Sequence, residues 1–168
     1  PDNLHGFSSR VPREDGGFKP QVVAPGSAVS TVPQWQNPTG ACLPYACPPG
    51  YAMFNGTSMA SPQAAGSAAL LVSAAKQSGA QYKPAQIREA MTSTARFFDR
   101  YGAYEQGNGL IDTVKAWQLL KQNLKTVEIT SSVPVSTALS AFLATPGKGT
   151  GIYDREGVKA GDSYTRSY

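Results

Sequence analysis

Three stretches of the chain carry apolar residues at helical spacing, and short runs between them alternate as strands do. Residues 1–20 (PDNLHGFSSRVPREDGGFKP) are polar and punctuated by Gly and Pro, which predicts loop. Gln21 to Ala24 (QVVA), closed by Pro25-Gly26, and Ala28 to Val32 (AVSTV) read as short strands. Residues 33–50 hold five prolines and both cysteines and predict a loop, after which Tyr51 to Phe54 (YAMF) reads as a further strand. The strongest helix follows, from about Thr57 to Gln77, with Pro62 in its first turn and Gly79 as its carboxyl cap. Its residues are small or apolar almost all round, from Ala60 through Leu70, Leu71 and Val72, which predicts burial on every side.

A second helix is expected from Pro84 to about Phe98, with Ile87, Ala90, Met91, Thr94 and Ala95 at helical spacing. A third runs from Ile111 or Asp112 to Asn123, with Val114, Trp117, Leu120 and Leu124 on its apolar face. From Thr126 the pattern changes: VEITSSVPVS, GIYDREG and SYTRSY alternate, with Gly and Pro between them. This predicts an α/β unit over residues 1–125 and the start of a β-rich, sandwich-like unit over 126–168, cut short within a strand-like run at Tyr168.

Composition narrows the choices. Of 168 residues 40% are apolar, enough for a core and against disorder, and the length suits one domain plus part of another. The most apolar window, Ala64 to Ala75, is far short of the ~20 residues that spanning a bilayer needs, so no membrane segment is expected. The charge of +4 is scattered: Arg10, Arg13 and Lys19 are interrupted by Glu14 and Asp15, while Lys115, Lys121 and Lys125 sit on one helix. A nucleic-acid surface concentrates such charge, so these are read as solvated faces. The chain opens at Pro1 with no charged and apolar leader, so either a processing boundary or an artificial one is expected there.

The chemical signal is Phe54-Asn55-Gly56-Thr57-Ser58-Met59-Ala60-Ser61-Pro62. A strand runs into Gly56, and a serine then begins a long helix. At that end backbone N–H groups lack intrahelical partners and the macrodipole is positive. The Ser58 N–H could therefore help hold the oxyanion formed when its own hydroxyl attacks a carbonyl, while Gly56 leaves room for a passing substrate backbone. Ordinary capping explains a serine here as well.

GTSMASP running into QAAGSAALL resembles the nucleophile segment of the subtilisin-like serine peptidases. FSSRVP followed by QVVAPG is similar to the family's preceding loop and strand, REAMTSTA to its next helix, and GNGLIDTVKAW to its closing Gly-x-Gly and last helix, all in family order across residues 6–120. The tail, above all GIYDREGVKAGDSYTRSY, resembles the β-rich unit that follows the peptidase domain in larger, tripeptidyl-peptidase-like members. The resemblance implies the carboxyl-terminal part of a subtilisin-like domain, with part of its parallel sheet and the packed helices. It makes Ser58 the acylating nucleophile, with Thr57 supporting the oxyanion site, Asn55 and Gly56 lining the leaving-group side, and Met59 beside the nucleophile, open to oxidation. Gln63 stands where many members have His, and Val11 where a Gly is common.

The family's general-base His, in an HGTxVAG-type helix, its orienting Asp, in a DxG strand, and its oxyanion Asn precede this segment in family order. None of those motifs occurs here. The single histidine, His5, lies between Leu4 and Gly6 and is read as a loop residue. The chain alone is therefore expected to be inactive and poorly stable, and the missing amino-terminal part of the domain is its expected partner beside a peptide or protein substrate. A nicked two-chain enzyme, or a non-catalytic peptide- or protein-binding module on the same scaffold, are the alternatives. Endopeptidase and tripeptidyl-releasing action stay open, as does substrate preference.

Other motifs are weaker. Ser73-Ala74-Ala75-Lys76 has the S-x-x-K form but lies near the carboxyl end of its helix, ~27 Å from Ser58 at 1.5 Å per residue. Lys148-Gly149-Thr150 is not K-T-G, and GTSMA is not G-x-S-x-G. Asn55-Gly56-Thr57 fits the glycosylation pattern, yet a glycan there would block the groove. Cys42 and Cys47, with no further Cys or His nearby, make a poor zinc site. A disulfide tying the Pro-rich loop, or two free thiols, are both open; the secreted, extracellular setting that the resemblance implies favours the disulfide. No cofactor is expected. Calcium is possible in a complete subtilisin-like domain, but no site for it is indicated here.

Overall fold

A computed structural model describes residues 3–10, 12–36, 41–42, 44–151 and 159–163. Val11, most of GIYDREG and nearly all of SYTRSY lie outside the described residues. In chain order the elements are β1 (Ser27–Thr31), β2 (Ala41–Cys42), β3 (Tyr45–Ala46), β4 (Tyr51–Asn55), α1 (Thr57–Ser78), α2 (Pro84–Ser93), α3 (Ala103–Gln106), α4 (Thr113–Leu120), β5 (Val133–Pro134), a 3-10 turn (Ser140–Phe142) and β6 (Lys148–Gly149).

The architecture is mixed α/β. Strands β1 and β4 form an antiparallel ribbon, from Ser27 opposite Asn55 to Thr31 opposite Tyr51. Its long connection carries the small β2–β3 hairpin, where a disulfide joins Cys42 to Cys47 and the Cys42 side is buried. The parallel component of the expected sheet is, among the described residues, one bridge between Val23 and Leu110. The QVVA run thus contributes a single bridge residue instead of a full strand. The flanking Pro20 and Pro25 have no N–H to extend a ladder.

That bridge sits where three segments cross. The Val23 N–H donates to Gly109 O at 2.9 Å and its carbonyl accepts from Ile111 N at 3.0 Å, while Arg96 and Leu110 exchange N–H···O bonds of 2.7 and 2.9 Å. The crossing explains the Gly-Asn-Gly at 107–109. A Cβ on Gly107 would fall on the Gln21 backbone and one on Gly109 on the Arg96 carbonyl, and both glycines have positive φ (63° and 110°). Buried Gln106 fastens the neighbouring loop, donating to the carbonyls of Phe98 (2.7 Å) and Tyr101 (2.6 Å) and accepting from Phe98 N–H (2.9 Å).

The core lies among the helices. Leu71 of α1, Ala90 of α2 and Ala116 and Leu120 of α4 are buried together, with Tyr82, Ile87, Met91, Trp117 and Leu124 packed around them. A hydrogen bond from Thr113 Oγ1 to Ser67 Oγ (2.9 Å) ties α4 to α1. Three features differ from the sequence pattern. Helix α2 stops at Ser93, because Thr94 turns its hydroxyl back onto Ala90 O (2.7 Å) and Arg96 leaves for its bridge with Leu110. In α4, Val114 is 68% exposed, and Ala116 with Leu120 makes the buried stripe in its place. Helix α1 is buried only at Ser67, Leu71 and Ala75, because α2 and α4 cover one side of it; Leu70 is 64% exposed.

Beyond α4, the described residues with the β-type pattern form the two-residue antiparallel pair β5–β6. It is held to the amino-terminal loop: Gly151 N–H donates to Asp15 O at 3.2 Å and Thr150 Oγ1 to Asp15 Oδ2 at 2.9 Å.

Candidate active site

The β1–β4 ribbon delivers the chain to the start of α1. Its last rung pairs Ser27 with Asn55, and the next residue closes it further, the Gly56 N–H donating to Gly26 O at 2.8 Å. Gly56 then takes the cap position of α1, and its carbonyl accepts from Met59 N (3.0 Å) and Ala60 N (3.4 Å). Thr57 and Ser58 are therefore the first two helical residues, and their N–H groups precede the intrahelical ladder. Ser58 is not the cap. It is exposed at the positive end of a 22-residue helix with no acidic residue in its first turn.

Pro62 is the sixth residue of α1 and so lies past the first turn. The i to i−4 bond it cannot donate is the one that the Ser58 carbonyl would accept, which frees that backbone group at the helix start. At Gly56 an added Cβ would come no nearer than 3.7 Å to Met59 Sδ and the Ser58 nitrogen, an ordinary contact. Its φ of 164° is extended backbone open to any residue. Neither packing nor backbone conformation within this chain demands a glycine there.

Asn55 is fixed by its side chain. Its Oδ1 accepts from Ser27 Oγ at 2.6 Å, and Ser27 Oγ in turn lies 3.3 Å from His5 Nε2. The His5 ring stacks on Phe7, with centroids 4.7 Å apart and planes 9° from parallel. His5 is thus a loop residue engaged with Ser27, a role that spacing along the sequence gave no means to anticipate. A cavity of about 690 Å³ opens beside the helix start, bordered by His5, Gly26, Gly56, Thr57 and Ala60. Cys42 and Cys47 close the loop that precedes β4. Lys76 and Ser73 lie toward the far end of α1, where Ser73 accepts from Gln77 Nε2 at 3.0 Å, so S-x-x-K is not part of this site. No group of three or more His, Cys, Asp or Glu able to hold a metal occurs among the described residues, and none of their helices is long and apolar enough to cross a membrane.

Comparison with known proteins gives the order of these elements a family. The model of the subtilase family matches residues 1–123. The chain belongs to the subtilase family. Similar proteins include pyrolysin of Pyrococcus furiosus, 38% identical over 123 residues, and tripeptidyl-peptidase 2 of Drosophila melanogaster, 36% identical over 123 residues. These alignments take in 68% and 73% of this chain but 8% of either relative. The membrane-bound transcription factor site-1 protease of Mus musculus is 33% identical over 125 residues, covering 71% of this chain and 11% of that protein. A second family model, an Ig-like domain in actinomycete serine proteases, matches residues 130–168. The aligned part of the chain spans about a twelfth of the length of the first two of these relatives.

Proposed function

We propose that this subtilase segment carries the nucleophile of a peptide-bond hydrolase. The observation that bears most weight is Ser58: exposed, second in α1 rather than its cap, with its N–H outside the helical ladder. In the complete protein Ser58 Oγ attacks the scissile carbonyl carbon. Its proton passes to a general base and from there to the departing amine, leaving the acyl group as an ester on Ser58. Water then adds to the ester, giving the acid and restoring the hydroxyl. The Ser58 N–H donates to the oxyanion with Thr57 in support, Asn55 and Gly56 border the leaving-group side, and Met59 flanks the nucleophile. That Gly56 is required by neither φ nor packing in this chain supports a reading in which its bare surface serves the substrate.

The general base comes from outside residues 1–168, because the only histidine is His5 and its Nε2 is occupied with Ser27. The chain by itself is then inactive. Its partner is the amino-terminal part of the peptidase domain, which packs on the uncovered apolar sides of α1 and the cavity beside it. We place the boundary of the peptidase unit at residue 125; the family matches that end at 123 and resume at 130 support it. The disulfide between Cys42 and Cys47 supports an extracellular setting. No cofactor, nucleic acid or membrane enters the reaction.

The test is made on the complete polypeptide. Ser58→Ala abolishes peptide hydrolysis and covalent labelling by a fluorophosphonate, while residues 1–168 alone neither hydrolyse nor label. Retention of labelling by Ser58→Ala overturns the assignment. Absence of labelling in the unaltered complete polypeptide favours the peptide-binding module instead.

A further inference from the structure

We propose that His5 and Ser27 are positioning residues that orient the Asn55 amide toward the backbone of the departing half of the substrate; this rests on the peptidase reading above. The direction of the relay follows from valence. A serine hydroxyl has one hydrogen, and here it goes to Asn55 Oδ1 at 2.6 Å. The Ser27 oxygen is then only an acceptor toward His5, so the 3.3 Å contact is His5 Nε2–H donating to Ser27 Oγ. The stack on Phe7 sets the plane of the imidazole that makes this donation.

The far end of the relay is what matters to a substrate. With Oδ1 accepting from Ser27 Oγ, the Asn55 amide is held with its Nδ2 group directed away from Ser27, and that group has no partner among the described residues. Asn55 is exposed, three residues before Ser58, and on the last rung of the ribbon that feeds the helix. An NH2 group so held, three residues before Ser58 in the chain, is a donor waiting for a carbonyl. The group it fits is a main-chain carbonyl of the peptide on the amine side of the cut. Without the relay the amide turns freely, presenting its oxygen as often as its nitrogen, and a substrate carbonyl then meets repulsion half of the time. Neither relay member touches substrate.

The proposal separates two kinds of substrate. In the complete polypeptide, Ser27→Ala lowers kcat/KM about tenfold for peptides with several residues on the leaving-group side, the effect of one weakened hydrogen bond, and does so through KM. For the same acyl portion ending in a p-nitroanilide, which has no such carbonyl, kcat/KM stays within about twofold of the unaltered protein. Ser27→Thr, which keeps the hydroxyl, restores the longer peptides. His5→Gln, whose amide N–H can still donate, loses less than His5→Leu. Equal losses on both substrate kinds make the relay merely structural and overturn the proposal, as does no loss on either. Thermal melting of each variant identifies any that is unfolded, in which case the Thr and Gln replacements carry the comparison. Ser58→Ala separates the two levels: if it remains active the peptidase reading fails, whereas if it is dead and Ser27→Ala shows no substrate split, the relay alone is wrong.

Discussion

Asp15 shows how much one side chain in this chain is asked to hold. The Arg13 guanidinium grips its carboxylate with two of its nitrogens, Nε at 2.9 Å and Nη2 at 2.5 Å, while Gly17 N–H donates at 3.0 Å and Thr150 Oγ1 at 2.9 Å. Burial alone would push this carboxyl up. The hydrogen bond from Arg13, then those from Gly17 and Thr150, outweigh it and leave the carboxyl below its ordinary value. A depressed carboxyl contributes stability that is fully present above its unfolded value and disappears as pH falls through its folded one. Stability should therefore hold from neutral pH down to the ordinary carboxylate range and fall below it. Asp15→Asn should cost about 1–3 kcal/mol at neutral pH and flatten that acid limb, since the charge-assisted bonds are already gone. Urea melts of the complete polypeptide between neutral and strongly acid pH measure both. An unchanged acid limb in the variant would show that other carboxylates set it. At this scale a motif singles out Ser58 and Gly56 along the sequence, whereas the sequence is silent where a partner is distant. Ser27 and His5 are 22 residues apart, and Asp15 and Thr150 are 135 apart. No local pattern announces such pairs.

Elements follow the same logic at longer range. Helix α1 was legible because a run of small and apolar residues and the closing Gly79 agree; the observed helix ends one residue beyond Gln77, with Gly79 at φ 70°. Strands β1 and β4 were legible from alternation, each to within a residue. What periodicity could not give is which side of an all-apolar helix its neighbours cover, or that a polar turn at Thr94 would end α2 early. The distinction has an energetic consequence. Leu71 is 1% exposed in the three-helix core, whereas Leu70, its neighbour in sequence, points away from α2 and α4. In residues 1–168 alone, Leu71→Ala should cost 2–5 kcal/mol, about the range for emptying a packed site, and Leu70→Ala no more than ~0.5. In the complete polypeptide Leu70→Ala should cost more, because the proposed amino-terminal part covers that face. Denaturant midpoints of both variants in both lengths decide the matter. Equal Leu70→Ala costs in the two lengths would mean that this face stays uncovered.

At the scale of the whole molecule the question is how the tail is joined to the peptidase part. The connection after α4 is long and mostly exposed, so the covalent link does not by itself fix the β5–β6 unit. Contact through the Arg13–Gly17 turn does. That turn is closed on itself by Arg13 N–H to Gly17 O and Gly16 N–H to Arg13 O, each 3.0 Å, and presents the Asp15 carbonyl and carboxylate to Thr150 and Gly151. The approach is backbone against backbone. A Cβ on Gly149 would fall on the Asp15 carbonyl oxygen and one on Gly151 on that of Gly16, so neither position has space for a side chain. Gly149, Gly151, Gly16 and Gly17 are all buried. Because Gly149 and Gly151 both lack a positive φ, substitution there acts through this contact and not through strain in the local backbone. Gly151→Val should thus separate the tail from the turn while leaving the helical core intact. Limited proteolysis of the complete polypeptide should then cut the connection between residues 121 and 132 several times faster, with the melting of the helices unchanged. A slower or equal rate of cleavage would show that the tail is held by something other than this turn. If the helices melt earlier as well, the Asp15 turn is a member of the core and the two units are one cooperative body.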